Sequence, residues 1–183
     1  MKPQFLLIGL GNPGAQYRNT RHNVGWFAID RAAEELKAGE WSDKPRFLSA
    51  VSEADIDNVP CLLIKPLTFM NRSGEAIRKL VDFYKLNPAT QILVCCDDID
   101  LPLGTHRLRM TGGPGTHNGL KSIVDTFGEN FPRLRIGLGS QPTGMDLAAW
   151  VLSAMTMEEK KALEPSLKAV TTAVRQVMQS STS

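Results

Sequence analysis

Cysteine is scarce in this chain and histidine equally so, and each shortage removes a class of chemistry. There are three cysteines and three histidines among 183 residues. Cys61, Cys95 and Cys96 form no Cys-x-x-Cys pair and leave an odd thiol, so neither a disulfide framework nor a thiolate metal site is indicated. Cys95 and Cys96 are adjacent in a strand-like run, where successive side chains point to opposite faces, and buried reduced thiols are expected. No apolar run approaches the roughly 18 residues that span a bilayer. The start MKPQFLLIGLGNPG breaks into a glycine turn and has no small-residue cleavage site, so it reads as a strand and a cytoplasmic protein is expected. Repeats and low-complexity tracts are absent, apart from a short polar tail at Gln179–Ser183. Charge of one sign is also lacking: the formal net charge of +2 is too small to imply nucleic acid by itself.

What is present fits one globular domain over residues 1–183. Hydrophobic residues at 42% and charged residues at 22% are ordinary for a chain that buries a core. Apolar runs predict strands near Gln4–Leu10, Ala50–Ile56, Val59–Lys65, Gln91–Cys96, Gly104–Met110 and Arg133–Gly139, with a tight Asp57-Asn58 turn between the second and third. Helical periodicity predicts helices near Asn23–Lys37, Ser73–Tyr84, Asn118–Phe127, Asp146–Leu152 and Met157–Met178. The continuous apolar run ILVCC suits a strand buried on both faces. Strands alternating with helices, together with one antiparallel pair, predict a three-layer α/β sandwich around a twisted mixed sheet.

The segment GLGNPG contains Gly9, Gly11 and Gly14 at the spacing of a dinucleotide fingerprint. That fingerprint needs a helix opening at the glycines and an acidic residue at the end of the next strand. Here Pro13 stiffens the turn, AQYRNTRH offers no apolar helical face, and Asp30 lies inside a helical pattern. The fingerprint fails on context, and no G-x-x-x-x-G-K-[ST] loop exists. What remains is a tight turn that presents Asn12 at the carboxyl end of a strand, the edge where α/β sheets place their sites.

Polar groups recur at such positions. Thr68-Phe69-Met70-Asn71 follows Val59–Lys65, Asp97 follows Gln91–Cys96, His117-Asn118 follows Gly104–Met110, and His22 lies on the loop into the first long helix. If the strands are neighbours, a histidine, a carboxylate and three amides meet in one cleft. No serine or cysteine stands in a nucleophile elbow. The set suits a histidine general base activating water, a carboxylate fixing its tautomer, and amides binding a carbonyl or oxyanion. Other readings stay open on these residues alone. His22 could be a structural residue where the chain enters its helix, and Asn71 or Asn118 a helix cap. Asp97, Asp98 and Asp100 could be solvated, or ligate a divalent metal with His22 and His117. Arg107, Arg109, Lys121, Arg133 and Arg135 crowd into one third of the chain, as a solvated face or a phosphate-binding one.

Taken together, the motifs resemble the bacterial peptidyl-tRNA hydrolases. GLGNPG with Tyr17, TRHN-x-G, TFMN-x-SG, DDIDLP-x-G, GTHNGLKSI and RLRIG-x-G occur in that order between Leu6 and about Leu152. The resemblance implies a phosphorylase/hydrolase-like α/β fold, no metal or other cofactor, and a cytoplasmic monomer. Its implied substrate is peptidyl-tRNA, cleaved at the ester between the peptide and the 3′ adenosine, recycling tRNA from abandoned translation. It makes His22 the general base and Asp97 the group that stabilises its catalytic form. Asn12 is tied to distinguishing N-blocked from free aminoacyl-tRNA. Tyr17, Phe69, Asn71 and Asn118 correspond to contacts with the 3′ end and peptide backbone, and His117 to a supporting histidine. The arginines and Lys121 become the phosphate-binding side. Two rival readings are an RNA-binding relative without catalysis, such as the group II intron splicing factors that resemble this family, and a metal-dependent hydrolase on a similar sheet. Departures from the pattern are Pro114 and Thr116 in the glycine-rich loop, and SQPTGMD without the basic residue many members have there. An earlier chain end predicts that the C-terminal helix covers less of the cleft.

Overall fold

A computed structural model describes all residues, 1–183. Seven strands, β1 (Phe5–Gly9), β2 (Ser42–Lys44), β3 (Ser49–Ile56), β4 (Val59–Pro66), β5 (Ile92–Asp98), β6 (His106–Arg109) and β7 (Arg133–Gly137), form one sheet in the order β2-β3-β4-β1-β5-β7-β6. The helices are α1 (Val24–Glu35), α2 (Ser73–Tyr84), α3 (Asn118–Phe127), α4 (Leu147–Val151), α5 (Met157–Lys168) and α6 (Val170–Ser180). Strands β4, β1, β5 and β7 are parallel, while β2, β3 and β6 join antiparallel, so the sheet is mixed.

The two-residue side-chain period of a strand divides the core into two layers. Phe5, Leu7, Cys61, Leu63, Leu93 and Cys95 face α1, α5 and α6, whereas Leu6, Ile8, Leu62, Ile64, Val94 and Cys96 face α2 and α3. The adjacent cysteines thus occupy opposite sides of the sheet as free, buried thiols. Burial pushes the Cys95 and Cys61 thiols up to about 12 and Cys96 well above its ordinary value, so none of them supplies a thiolate.

Three elements depart from the sequence reading. Strand β2 is fully exposed, and its Ser-Asp-Lys has no apolar alternation to reveal it. The single helix expected over Met157–Met178 is two, α5 and α6, meeting at Ala169. Pro165 inside α5 withholds the backbone N–H that residue 161 would accept, and the run Val170-Thr171-Thr172 that follows is β-branched. Helix α6 also continues to Ser180, into the expected polar tail. The hairpin turn is as expected: Asp57 and Asn58 both take positive φ, 52° and 67°, matching the twist of β3 and β4.

Gly9 and Gly11 of GLGNPG serve packing, while Gly14 takes a positive φ of 113° in the turn. Helix α1 starts ten residues beyond Gly14, far from any nucleotide cradle. A Cβ on Gly25 would lie 2.5 Å from the Cys95 carbonyl oxygen and 2.6 Å from the Leu10 nitrogen. One on Gly9 would collide with the Gly25 carbonyl in turn, and one on Gly11 with the Trp26 indole. Glycine lets α1 lie directly on β1 and β5, which sets the distance between the turn before α1 and the end of β5.

Candidate active site

Because β1, β4 and β5 are parallel, their carboxyl ends share one edge of the sheet. A cleft of about 480 Å³ opens there, lined among others by Asn12, His22, Phe69, Asn71, Asp97, His117, Asn118 and Arg135. Strand β6 runs the other way, so the loop after it begins at the opposite edge, contrary to the expectation that it opens beside the other loops. It returns across the face of the sheet. Arg133 Nη1 donates to the Gly112 carbonyl (2.6 Å) and Arg135 Nη2 to the Gly113 carbonyl (2.9 Å), and these bonds carry the chain towards β5. His117 then reaches the cleft as the N-cap of α3.

Asp97, at the end of β5, is 4% exposed and lies between two imidazoles. His22 Nδ1 is 3.0 Å from both of its oxygens, and His117 Nε2 is 2.8 Å from Oδ1. The tautomers follow from the remaining partners. His117 Nδ1 accepts from the backbone N–H groups of Gly119 and Leu120, at 3.1 and 3.2 Å, so its proton sits on Nε2 and is donated to Asp97. Burial alone would raise the Asp97 pKa, but the adjacent His22 and His117 and their hydrogen bonds hold it well below the usual carboxylate range. An ionised Asp97 can only accept, so His22 donates from Nδ1 and keeps its Nε2 lone pair free. Burial would depress the His22 pKa, but the Asp97 charge and hydrogen bond outweigh it and raise the value above the ordinary 6.5. The same interactions make Nε2 a stronger base than a free imidazole.

Asn12 is 6% exposed and held at three points. Its backbone N–H donates to Asn23 Oδ1 (2.8 Å), and Asn23 Nδ2 returns a bond to the Asn12 carbonyl (3.0 Å). The Met70 N–H donates to Asn12 Oδ1 (2.7 Å), which uses the side-chain acceptor and leaves Nδ2 as a donor for the cleft. With its oxygen engaged by Met70, Asn12 faces the cleft chiefly as a donor. Asn23 and the Met70 N–H had no place in the sequence reading. Their only signal was their position inside TRHN and TFMN.

Asn71, in the turn before α2, and Asn118, the first residue of α3, both line the cleft with exposed side chains. Neither caps a helix: His117 caps α3, and no side chain caps α2. Phe69 is 56% exposed at the mouth, with Tyr17 edge-on to it at 6.4 Å. The opposite wall is apolar, built from Ile99, Leu147, Ala148, Val151 and Leu152. The longer C-terminal helices α5 and α6 contribute no lining residue, and Asp146 begins α4 where a basic residue was missed.

The arginines separate sharply. Arg107 is paired directly opposite Arg135, and Arg109 opposite Arg133, so four cations share one face of β6 and β7. Directly opposed like charges are costly unless solvated or otherwise occupied. Arg107 and Arg109 are exposed, as is Lys121 on α3. Arg133 is fully buried, against the expectation that it faces phosphate. Its guanidinium donates to the carbonyls of Gly112, Glu129 and Phe131 and stacks on the Phe131 ring at 3.8 Å. Desolvation lowers its pKa to about 10, which still leaves it charged. Arg135 faces the cleft, with Nη1 3.4 Å from Asp98 Oδ2.

His22, Asp97 and His117 also place ligand atoms within 4.8 Å of one another, close enough to converge on one ion. In the hydrogen-bonded arrangement, His22 Nδ1 and His117 Nε2 are directed at the carboxylate. No helix is long and apolar enough to cross a membrane.

A sequence profile of the family described as peptidyl-tRNA hydrolase matches residues 6–183. Over 171 residues the chain is 46% identical to the peptidyl-tRNA hydrolase of Carboxydothermus hydrogenoformans, covering 93% of this chain and 89% of that one. The crystal structure of peptidyl-tRNA hydrolase from Acinetobacter baumannii superposes with a TM-score of 0.89 at 32% identity, covering 100% of this chain and 92% of the other. A purine nucleoside phosphorylase of Toxoplasma gondii matches with a TM-score of 0.54 at 10% identity, over 95% of this chain and 92% of its own, a likeness of fold alone.

Proposed function

The chain belongs to the peptidyl-tRNA hydrolase family and hydrolyses peptidyl-tRNA, and we propose that it does so by general-base catalysis through His22. The observation that carries this reading is the Asp97 carboxylate holding the Nδ1 proton of His22 and leaving Nε2 for the cleft. His22 Nε2 takes a proton from water as the water oxygen bonds to the ester carbonyl carbon. The carbonyl oxygen gains the negative charge, and Asn12 Nδ2 is the donor set to meet it. When the tetrahedral intermediate collapses, the bond to the 3′ oxygen of the terminal adenosine breaks and the imidazolium returns its proton to that oxygen. Free tRNA and a peptide carboxylate result.

His117 keeps Asp97 in place and ionised in this scheme. Asn71 and Asn118 bind the peptide backbone, and Phe69 with Tyr17 offers aromatic surface to the unstacked 3′ adenosine. Arg107, Arg109, Lys121 and Arg135 meet phosphates of the acceptor end. The protein works as a cytoplasmic monomer with residues 1–183 as one unit. An α-amino group left free on the substrate would face the Asn12 donor, which disfavours unblocked aminoacyl-tRNA.

The test compares N-acetyl-aminoacyl-tRNA with its unblocked form. Wild-type protein is expected to turn over the blocked substrate only, and His22→Ala to lose at least ~100-fold in rate. A His22→Ala protein with wild-type turnover overturns the mechanism. So does complete inhibition by EDTA that a divalent ion reverses, since the three convergent donors would then be metal ligands.

A further inference from the structure

Helix α4 is five residues long and buries none of them. A helix of that length is not stable alone in water. It nonetheless forms one wall of the cleft through Leu147, Ala148 and Val151, so an outside group must hold it. Trp150 is not part of that wall. Its ring lies under the guanidinium of Arg21, 3.5 Å from atom to ring centre.

Arg21 immediately precedes His22 and is 4% exposed. Its Nε and Nη2 fork onto the two carboxylate oxygens of Glu159 at 3.0 and 2.7 Å. Its Nη1 donates to Ser153 Oγ, which donates onward to the Trp150 carbonyl at 2.6 Å. Its backbone N–H donates to the Ser153 carbonyl at 3.1 Å. Glu159 is no loose partner, because it closes the capping box of α5 with Thr156. Helix α5 is tied to α1 as well, through Arg31 and Glu164 at 3.1 Å. The backbone bridge between Thr20 and Ala154 ties the chain just after α4, and a continuous side-chain path runs from the anchored α5 through Glu159 and Arg21 to Trp150 on α4 itself.

We propose that Arg21 is a positioning residue: by stacking on Trp150 while gripping Glu159, it fixes the wall 146–152 relative to His22, and that wall encloses the peptide end of the substrate. The inference rests on the reading above in that the cleft receives the peptidyl group. Lysine cannot substitute, since it has neither the planar face that stacks nor the fork that grips.

The test is steady-state kinetics on N-acetyl-aminoacyl-tRNA with Arg21→Lys, Trp150→Ala and the double variant, alongside amide hydrogen exchange. Each single change is expected to raise KM about tenfold, the loss of a desolvated cation–π contact. Turnover stays within about threefold of wild type, and the acid limb of its pH profile does not move, because the base is untouched. The double variant is expected to be no worse than the poorer single one, and exchange to quicken over 147–153 but not over 157–168. An unchanged KM, additive effects, or a fall in kcat with a displaced pH limb overturns the proposal. Should Arg21→Lys fail to fold, Trp150→Ala leaves the Arg21–Glu159 pair intact, and a wild-type KM in that variant is decisive against it. Failure of the general-base reading appears elsewhere, as undiminished turnover in His22→Ala, so the two outcomes are distinguishable.

Discussion

A carboxylate between two imidazoles is a demanding arrangement at the scale of the residue, because its value depends on who donates. Asp97 accepts from His22 Nδ1 and His117 Nε2, and the second donation is guaranteed by the start of α3, which occupies His117 Nδ1. The helix N-terminus thereby determines the protonation pattern of the site without touching the base. Replacing Asp97 by asparagine removes the charge that raises the His22 pKa and leaves burial, which lowers it. Asp97→Asn is therefore expected to shift the acid limb of the kcat/KM profile to lower pH, since in the proposed mechanism His22 acts in its neutral form. The rate itself is expected to fall by about 100-fold or more, and a pH–rate series on N-acetyl-aminoacyl-tRNA checks both. The candidate residues were legible in the sequence because strand ends and TRHN announce them. Their hydrogen-bond roles were not. That Asn12 faces the cleft chiefly as a donor depends on the Met70 N–H, a bond spanning 58 positions, and no local pattern encodes it. Arg133 and Arg135 make the same point, being alike in sequence and two apart on one strand. A returning loop buries the first and leaves the second at the cleft.

At the scale of the element, the placement of α1 matters most, since the turn carrying His22 leads directly into it. The approach of α1 to the sheet depends on Gly25, where a Cβ would lie 2.5 Å from the Cys95 oxygen. Gly25→Ala is expected to cost about 1–3 kcal/mol, the range for overpacking, and to lower turnover by lifting His22 from Asp97. Gly39→Ala is the contrast. A Cβ there would come no closer than 3.7 Å to the Glu53 oxygen, and its effect is expected to stay within about 0.5 kcal/mol. Urea midpoints of the two variants check the difference. Most elements could be read from periodicity, and the Asp57-Asn58 turn from its residues between two apolar runs. The direction of β6 was not readable, since the one antiparallel pair expected was the Asp57-Asn58 hairpin, and strand order, which decides where the following loop begins, is not contained in periodicity. The exposed strand β2 and the break at Ala169 lacked an apolar pattern to mark them.

For the whole molecule, charge placement outweighs net charge. A total of +2 conceals the exposed Arg107 and Arg109 of β6 and Lys121 of α3, which lie outside the cleft lining. Binding of a non-hydrolysable peptidyl-tRNA analogue is expected to weaken as salt rises. Each of Arg107→Ala and Arg109→Ala should reduce the slope of log K against log salt by about 0.7–0.9 if that residue meets one phosphate. Arg133→Lys is expected to leave the slope unchanged, because its cation faces carbonyls, not solvent, and to lower stability instead. Titrations at several salt concentrations separate the two kinds of arginine. The shared carboxylate also bears on how the chain acquires its activity. Asp97, His22 and His117 come from three separate segments, and an ionised Asp97 has no compensation in the interior until both imidazoles arrive. A refolding chain can pair β1, β4 and β5 without forming the site, because those strands carry only Asp97 of the three groups. It gains the site only when the loop over Arg133 and Arg135 has closed, so recovered hydrolysis should coincide with the last kinetic phase of refolding, with no partly active intermediate before it.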